Sequence, residues 1–163
     1  MIEYWSSNEK FGLMVDPEQL LQISAHCIKA GGRETGGILI GSYTANNACA
    51  SITQILGPTQ DSKSGRTWFI RGISGLQKII DRYWEGNRHY YLGEWHFHPN
   101  ALPDPSGQDI AQMRSIASSQ AFNCPEPLLI IMGGNPAKHP LVRVFVFPKG
   151  QLMELVLSQR QDS

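Results

Sequence analysis

The stretch Gly93-Glu94-Trp95-His96-Phe97-His98-Pro99, continued by Asn100-Ala101-Leu102-Pro103-Asp104-Pro105-Ser106-Gly107-Gln108-Asp109, decides how the rest of this 163-residue chain is read. Tyr90 to Phe97 reads as a strand rich in aromatics. Side chains alternate between the two faces of a strand, so His96 and His98 project together while Trp95 and Phe97 point the other way, into a core. The proline-rich segment from Asn100 to Pro105 must be irregular. A helix then runs from Ser106 to about Ser119, and the loop folds it back against the strand end. Asp109, one turn into this helix, can thereby reach the two imidazoles. Two imidazoles and a carboxylate form a donor set for Zn2+, whose catalytic sites have three protein ligands and keep one position open for water. The run Ser106-Gly107-Gln108-Asp109 is also a plain capping-box pattern. Capping and metal binding are compatible, although a metal-bound Asp109 caps less freely.

Working outward, Glu3–Trp5 and Gly12–Val15 read as short strands. Asp16-Pro17 supplies an N-cap and a proline at the first helical position. Leu20, Leu21, Ile23 and Ile28 give the helix from Glu18 to Ala30 its apolar face, and Gly31-Gly32 ends it. Arg33-Glu34-Thr35-Gly36-Gly37-Ile38-Leu39-Ile40-Gly41 reads as a buried strand entered through glycines, with a charged residue at its mouth. Cys49 to Leu56 is its partner strand. Gly57 to Arg66 is a polar exposed loop, Thr67 to Ile70 a short strand, and Ser74 to Trp84 a helix. Leu128 to Met132 and Leu141 to Phe147 are further strands, and Gln151 to Leu157 reads as a strand or a helix. The expectation is one domain over 1–163 of the α/β (or α+β) class, with six or seven strands in a central mixed sheet flanked by about three helices.

Composition limits what such a domain does. Fourteen basic residues balance fourteen acidic ones, which argues against nucleic acid as a partner, since phosphate binding leaves a basic footprint. No apolar run approaches the roughly 18 to 20 residues of a membrane span, and the N-terminus lacks the basic start and apolar block of a signal peptide. Cys27, Cys49 and Cys124 are odd in number and unpaired in spacing, which fits buried thiols in a reducing cytoplasm.

A metal-activated water still needs a base to take its proton and deliver it to a leaving amine. Glu34 is the leading candidate, because its strand can bring it near the metal. Ser106 offers a hydroxyl to the oxyanion that forms as a carbonyl is attacked. His-x-His, seven residues, Ser, two residues, Asp resembles the metal motif of the JAB/MPN (JAMM) metallopeptidases. Glu34 with Gly37, Leu39 and Gly41 is similar to that family's upstream glutamate and glycine-punctuated strand. The resemblance spans nearly the whole chain, and the Gly-Glu-Trp-His-Phe-His-Pro wording looks like the stand-alone prokaryotic JAB group. Some of that group accompany bacterial ubiquitin-like conjugation systems, including anti-phage (CBASS-type) operons.

The resemblance implies a cytidine-deaminase-like JAB1/MPN fold, one Zn2+ held by His96, His98 and Asp109, a water activated by Glu34, and Ser106 at the oxyanion. It also implies cleavage of an amide or isopeptide bond after the C-terminal tail of a ubiquitin-like protein. Such a tail would add as a strand to an exposed sheet edge, with Gln60–Thr67 as one wall of its groove. Two other classes stand beside this one. A non-catalytic MPN-type scaffold usually lacks a ligand, whereas all are present here. A nucleic-acid-associated JAB-like protein conflicts with zero net charge. The Pro-Cys-x-x-Cys of nucleobase deaminases and the His-Glu-x-x-His of helical zinc proteases are absent from the sequence. His26, His89 and His139 have no ligand spacing and read as structural or surface residues.

Overall fold

A computed structural model describes residues 1–44 and 46–159. Its elements are strands β1 (Ile2–Trp5) and β2 (Gly12–Val15), helix α1 (Pro17–Ala30), β3 (Thr35–Tyr43), β4 (Cys49–Leu56), β5 (Lys63–Ser64), β6 (Phe69–Ile70), α2 (Leu76–Asn87), β7 (Tyr90–Pro99), α3 (Gly107–Ser118), β8 (Leu128–Asn135), β9 (His139–Val146) and β10 (Met153–Leu157). Eight strands close on themselves in the order β1-β10-β9-β8-β7-β3-β4-β2, with β5 and β6 forming a separate two-stranded hairpin. Pairing is antiparallel except for β7 with β8 and β2 with β4. The mixed sheet and three helices match the sequence reading. The ten strands exceed the six or seven expected, partly because β5 lies in a loop whose polar composition conceals a hairpin, and the tail resolves as a strand.

Every strand of the barrel has a neighbour on both sides, but pairing is uneven: β4 meets β2 only through residues 49–51, and β9 meets β10 only through residues 144–146. The β5–β6 hairpin lies outside the barrel, and among the described residues each of its strands pairs only with the other.

Local chemistry sets the helix ends. Asp16 caps α1 through the backbone N–H of Glu18, while Gln19 reaches back to the Asp16 N–H at 2.9 Å. On α1, Ile23 and Cys27 are buried, but Leu21 and Ile28 are 68% and 53% exposed. Residues 20, 23 and 27 share one stripe of a 3.6-residue period, and 21 and 28 share another that faces solvent.

Two apolar clusters follow from strand alternation. Trp95, Phe97 and Leu92 of β7 meet Leu13, Leu39, Ile52, Ile130 and Val144, with Ile23 and Cys27 of α1. On the opposite face, Ile38, Ile40, Leu129, Ile131 and Phe145 pack with Leu76 of α2 and Met113 and Ile116 of α3. Burying each such large side chain contributes about 1.5–3 kcal/mol. The three cysteines are buried; burial pushes the thiols of Cys27 and Cys124 up to about 12 and that of Cys49 to about 11, so all three stay protonated. No helix among the described residues is long and apolar enough to cross a membrane.

Candidate metal centre

Strand β7 lies between β3 and β8, and its alternation sends Glu94, His96 and His98 to the face that carries α3. The phase of that alternation depends on Gly93. Leu39 pairs with Gly93 and Ile40 with Tyr91, so the register slips by one residue here. Gly93 has φ +151° and lies against the Leu128 backbone, a place with no room for a Cβ. A bulge of this kind re-aims side chains. Here it puts Tyr91 on the same side as Glu94, and the Tyr91 hydroxyl donates to Glu94 Oε2 at 2.8 Å.

Helix α3 delivers the carboxylate. Ser106 is its N-cap and accepts from the Asp109 N–H at 3.0 Å, while Asp109 Oδ2 accepts from the Ser106 N–H at 2.8 Å. The same Asp109 carboxylate meets both histidines: Oδ1 lies 2.8 Å from His96 Nδ1, and Oδ2 lies 3.2 Å from His98 Nε2. Capping and convergence on the imidazoles thus coexist. Because Ser106 Oγ acts as an acceptor within the cap, its own proton is free to be donated, and the residue is exposed.

The donor set fits a divalent metal such as zinc. Ligand atoms about 2.0–2.1 Å from a tetrahedral Zn2+ stand about 3.3 Å from one another. The 3.2 Å separation already meets this, and the 2.8 Å one needs an opening of about 0.5 Å. Three buried polar side chains that meet with no apolar purpose are otherwise expensive. The other ring nitrogen, His96 Nε2, is buried without a hydrogen-bond partner, its nearest acidic neighbour being Glu94 Oε1 at 3.7 Å.

The charges are mutually arranged. Burial opposes ionisation of Asp109, but its hydrogen bonds with His96 and His98 outweigh this and hold it well below the usual carboxylate range. Burial likewise disfavours the His96 imidazolium, yet bonding to Asp109 and the Glu94 charge prevail and raise it to about 9. Glu34, half-buried just before β3, has its pKa raised, first by burial; the charge of Asp109 adds to the rise while His98 and His96 oppose it. Glu34 is thus within electrostatic reach of all three candidate ligands. A base with a raised pKa is better matched to proton transfer near neutrality.

The structure therefore brings together Glu34, His96, His98, Ser106 and Asp109, five positions from three elements. His26 instead stacks on Trp95 with ring centroids 5.4 Å apart, and His89 bonds Thr53 at 3.2 Å. The segment from Gln60 to Thr67 is also attached to the site. Glu34 donates its N–H to the Gly65 carbonyl at 2.8 Å, Arg33 bonds the Ser64 carbonyl, and Phe69 presents its ring edge-on to His96 at 5.8 Å. Four neighbours escaped the sequence reading. Glu94 is buried and accepts from Arg71 Nε at 2.8 Å, Gln112 Nε2 at 3.2 Å and Tyr91. Glu94 was legible in principle, being two residues before His96 and so on its face; Arg71 and Gln112 carry no local signal.

A mixed barrel whose β7 aims a His-x-His pair at a helix-borne aspartate defines a JAB-type peptidase domain, and the chain belongs to that family: prokaryotic homologs of the JAB domain match residues 16–146. Among individual relatives, the chain is 40% identical over 149 residues to a protein named CD-NTase/cGAS isopeptidase from Enterobacter hormaechei subsp. hoffmannii (strain UCI 50), covering 91% of this chain and 82% of that protein. It is 33% identical over 106 residues to the probable metalloprotease y4qB of Sinorhizobium fredii (strain NBRC 101917 / NGR234), covering 63% and 64%. In fold it is similar to the solution structure of protein DSY2949 from Desulfitobacterium hafniense, with a TM-score of 0.64 at 18% identity over 87% of this chain and 88% of that one.

Proposed function

We propose that this chain is a zinc-dependent isopeptidase that hydrolyses the amide bond following the C-terminal tail of a ubiquitin-like protein or its conjugate. The observation that carries this reading is the convergence of His96 Nδ1, His98 Nε2 and the Asp109 carboxylate beside Glu34. His96, His98 and Asp109 would hold the ion. Zinc there would lower the pKa of a bound water from about 16 to about 7 and polarise the amide carbonyl. Glu34 takes the proton of the attacking water and passes it to the leaving nitrogen. The Ser106 hydroxyl donates to the carbonyl oxygen as it gains charge, which its place at the helix N-terminus reinforces.

The hairpin supports an extended substrate. Each of its strands has one open edge, and it is bonded to the backbone of Glu34, so a tail added there as a strand runs beside the base. Trp68 and Ile70 stand exposed on this hairpin and suit an apolar tail. The name CD-NTase/cGAS isopeptidase given to relatives adds a specific candidate substrate, a CD-NTase conjugate, and with it a role in antiviral defence in the cytoplasm.

The test is cleavage of a fusion carrying a short peptide after the C-terminal Gly-Gly of a ubiquitin-like protein, with zinc quantified in wild type and Glu34→Ala. Cleavage by wild type alone, with zinc in both, is the expected result. Equal cleavage by Glu34→Ala removes Glu34 as the base. No cleavage of fusions or conjugates despite bound zinc favours a binding scaffold.

A further inference from the structure

We infer that Glu94 is the positioning residue of the metal centre: it accepts the Nε2–H of His96 and thereby keeps Nδ1 free as the donor to the metal. The inference rests on the metal reading above and extends it to a side chain outside the ligand set.

A neutral imidazole carries one N–H, and which nitrogen bears it depends on the acceptors around the ring. His96 Nδ1 faces Asp109 Oδ1 at 2.8 Å. Left to that contact, Nδ1 would keep its proton and donate it to Asp109, and both groups would be occupied with each other. A metal needs the opposite tautomer, with a lone pair on Nδ1 and the proton on Nε2. A proton on Nε2 requires an acceptor, because Nε2 is buried away from water. The carboxylate oxygen at 3.7 Å, Glu94 Oε1, is placed to be that acceptor after a small tilt of the ring. Such partners of metal-bound histidines fix both tautomer and orientation.

The surroundings of Glu94 suit this task. A carboxylate has about four acceptor sites. Arg71 Nε and Gln112 Nε2 donate to Oε1, and the Tyr91 hydroxyl donates to Oε2. Oε1 takes two of these donors and Oε2 one, so Gln112, the longest of the three at 3.2 Å, is the donor that yields Oε1 to His96. Arg71 does not clasp Glu94 in the two-pronged manner of a strong ion pair; it uses Nε alone and turns Nη1 to the Gly72 carbonyl at 2.9 Å. A buried ion pair is in any case weak evidence for stability. The ring itself is confined. A Cβ at Gly36 would come within 2.9 Å of His96 Cδ2 and 2.7 Å of Phe69 Cε1, so only glycine leaves the ring its place. Arg71 directly follows β6, so the hairpin proposed to receive substrate is joined to the metal centre through Glu94.

The test uses zinc itself, with Co2+ as a spectroscopic substitute. Zinc affinity is measured by chelator competition on metal-free wild type, Glu94→Gln and the double variant Glu94→Gln/Arg71→Met, with thermal unfolding of each metal-free protein. If the single variant does not fold, the double variant carries the measurement, because it leaves no buried charge without a partner. The expected result is zinc binding about 10- to 100-fold weaker in the variants, and a changed visible spectrum of the cobalt protein. A folded double variant that binds zinc as tightly as wild type and gives the wild-type cobalt spectrum overturns the inference, leaving Glu94 as one half of a structural ion pair. Failure of wild type to take up zinc overturns the metal reading, and this one with it.

Discussion

The two faces of β7 are equally dry and chemically opposite. Glu94, Trp95, His96 and Phe97 are each no more than 3% exposed, yet Trp95 and Phe97 touch aliphatic neighbours while Glu94 and His96 touch charges. On the first face burial is itself the stabilising term. On the second, burial disfavours every ionised group, and only mutual compensation makes it tolerable. The protein has thus enclosed a costly set of charges beside its core, on the strand most thoroughly fixed by pairing with β3 and β8. The contrast teaches how to separate what holds the fold from what serves the chemistry when both are buried.

Paired substitutions on the two faces put that separation at risk. His98→Ala removes a ligand and is expected to abolish zinc retention and hydrolysis together, with a smaller change in the unfolding temperature of the metal-free protein. Phe97→Ala is expected to lose about 3–5 kcal/mol of stability through the cavity it leaves, while whatever protein stays folded still takes up zinc. Calorimetry with metal analysis checks both. If His98→Ala destabilises the metal-free fold as much as Phe97→Ala does, the polar face is holding the barrel and the comparison breaks. Ser106→Ala is expected to be a mixed case: about 10²- to 10³-fold in hydrolysis from a lost oxyanion donor, and about 1 kcal/mol of stability from a lost N-cap. Loss of stability alone would reduce Ser106 to its cap.

The degree to which the sequence announced these faces varies with how local the cause is. The side chains of His96, Phe97 and His98 could be assigned from alternation, and Ser106 and Asp109 from the capping pattern, because both rest on a few adjacent residues. Glu34 could be placed at a strand mouth, but its nearness to His98 is a tertiary fact. The barrel closure was not legible, since pairing of β1 with β10 joins segments more than a hundred residues apart and neither strand advertises its partner. The short strand read at Thr67 to Ile70 contains β6, but its partner β5, two residues long, was hidden by its brevity. Arg71 falls between the short strand and the helix of the sequence reading, and nothing in its neighbours foretold burial against Glu94.

The smallest effect concerns protons, and it sharpens the comparison without changing a residue. In the metal-free protein His96 is raised to about 9, against an ordinary value near 6.5. A group whose pKa is raised by folding stabilises the native state fully below the ordinary value, and that contribution fades as pH climbs through the raised one. The metal-free protein should therefore lose stability as pH rises between about 6.5 and 9. Zinc affinity should move the other way across that window, because a ligand histidine must first shed its proton and the shedding becomes easier as pH rises. Unfolding temperatures of metal-free protein and chelator-competition affinities, measured over the same buffers, read the two slopes separately. Opposite slopes are expected, with proton release on zinc uptake near neutrality. A flat affinity profile would mean that His96 already carries the metal-binding tautomer at neutral pH. The polar face of β7 would then be preformed as firmly as the apolar one.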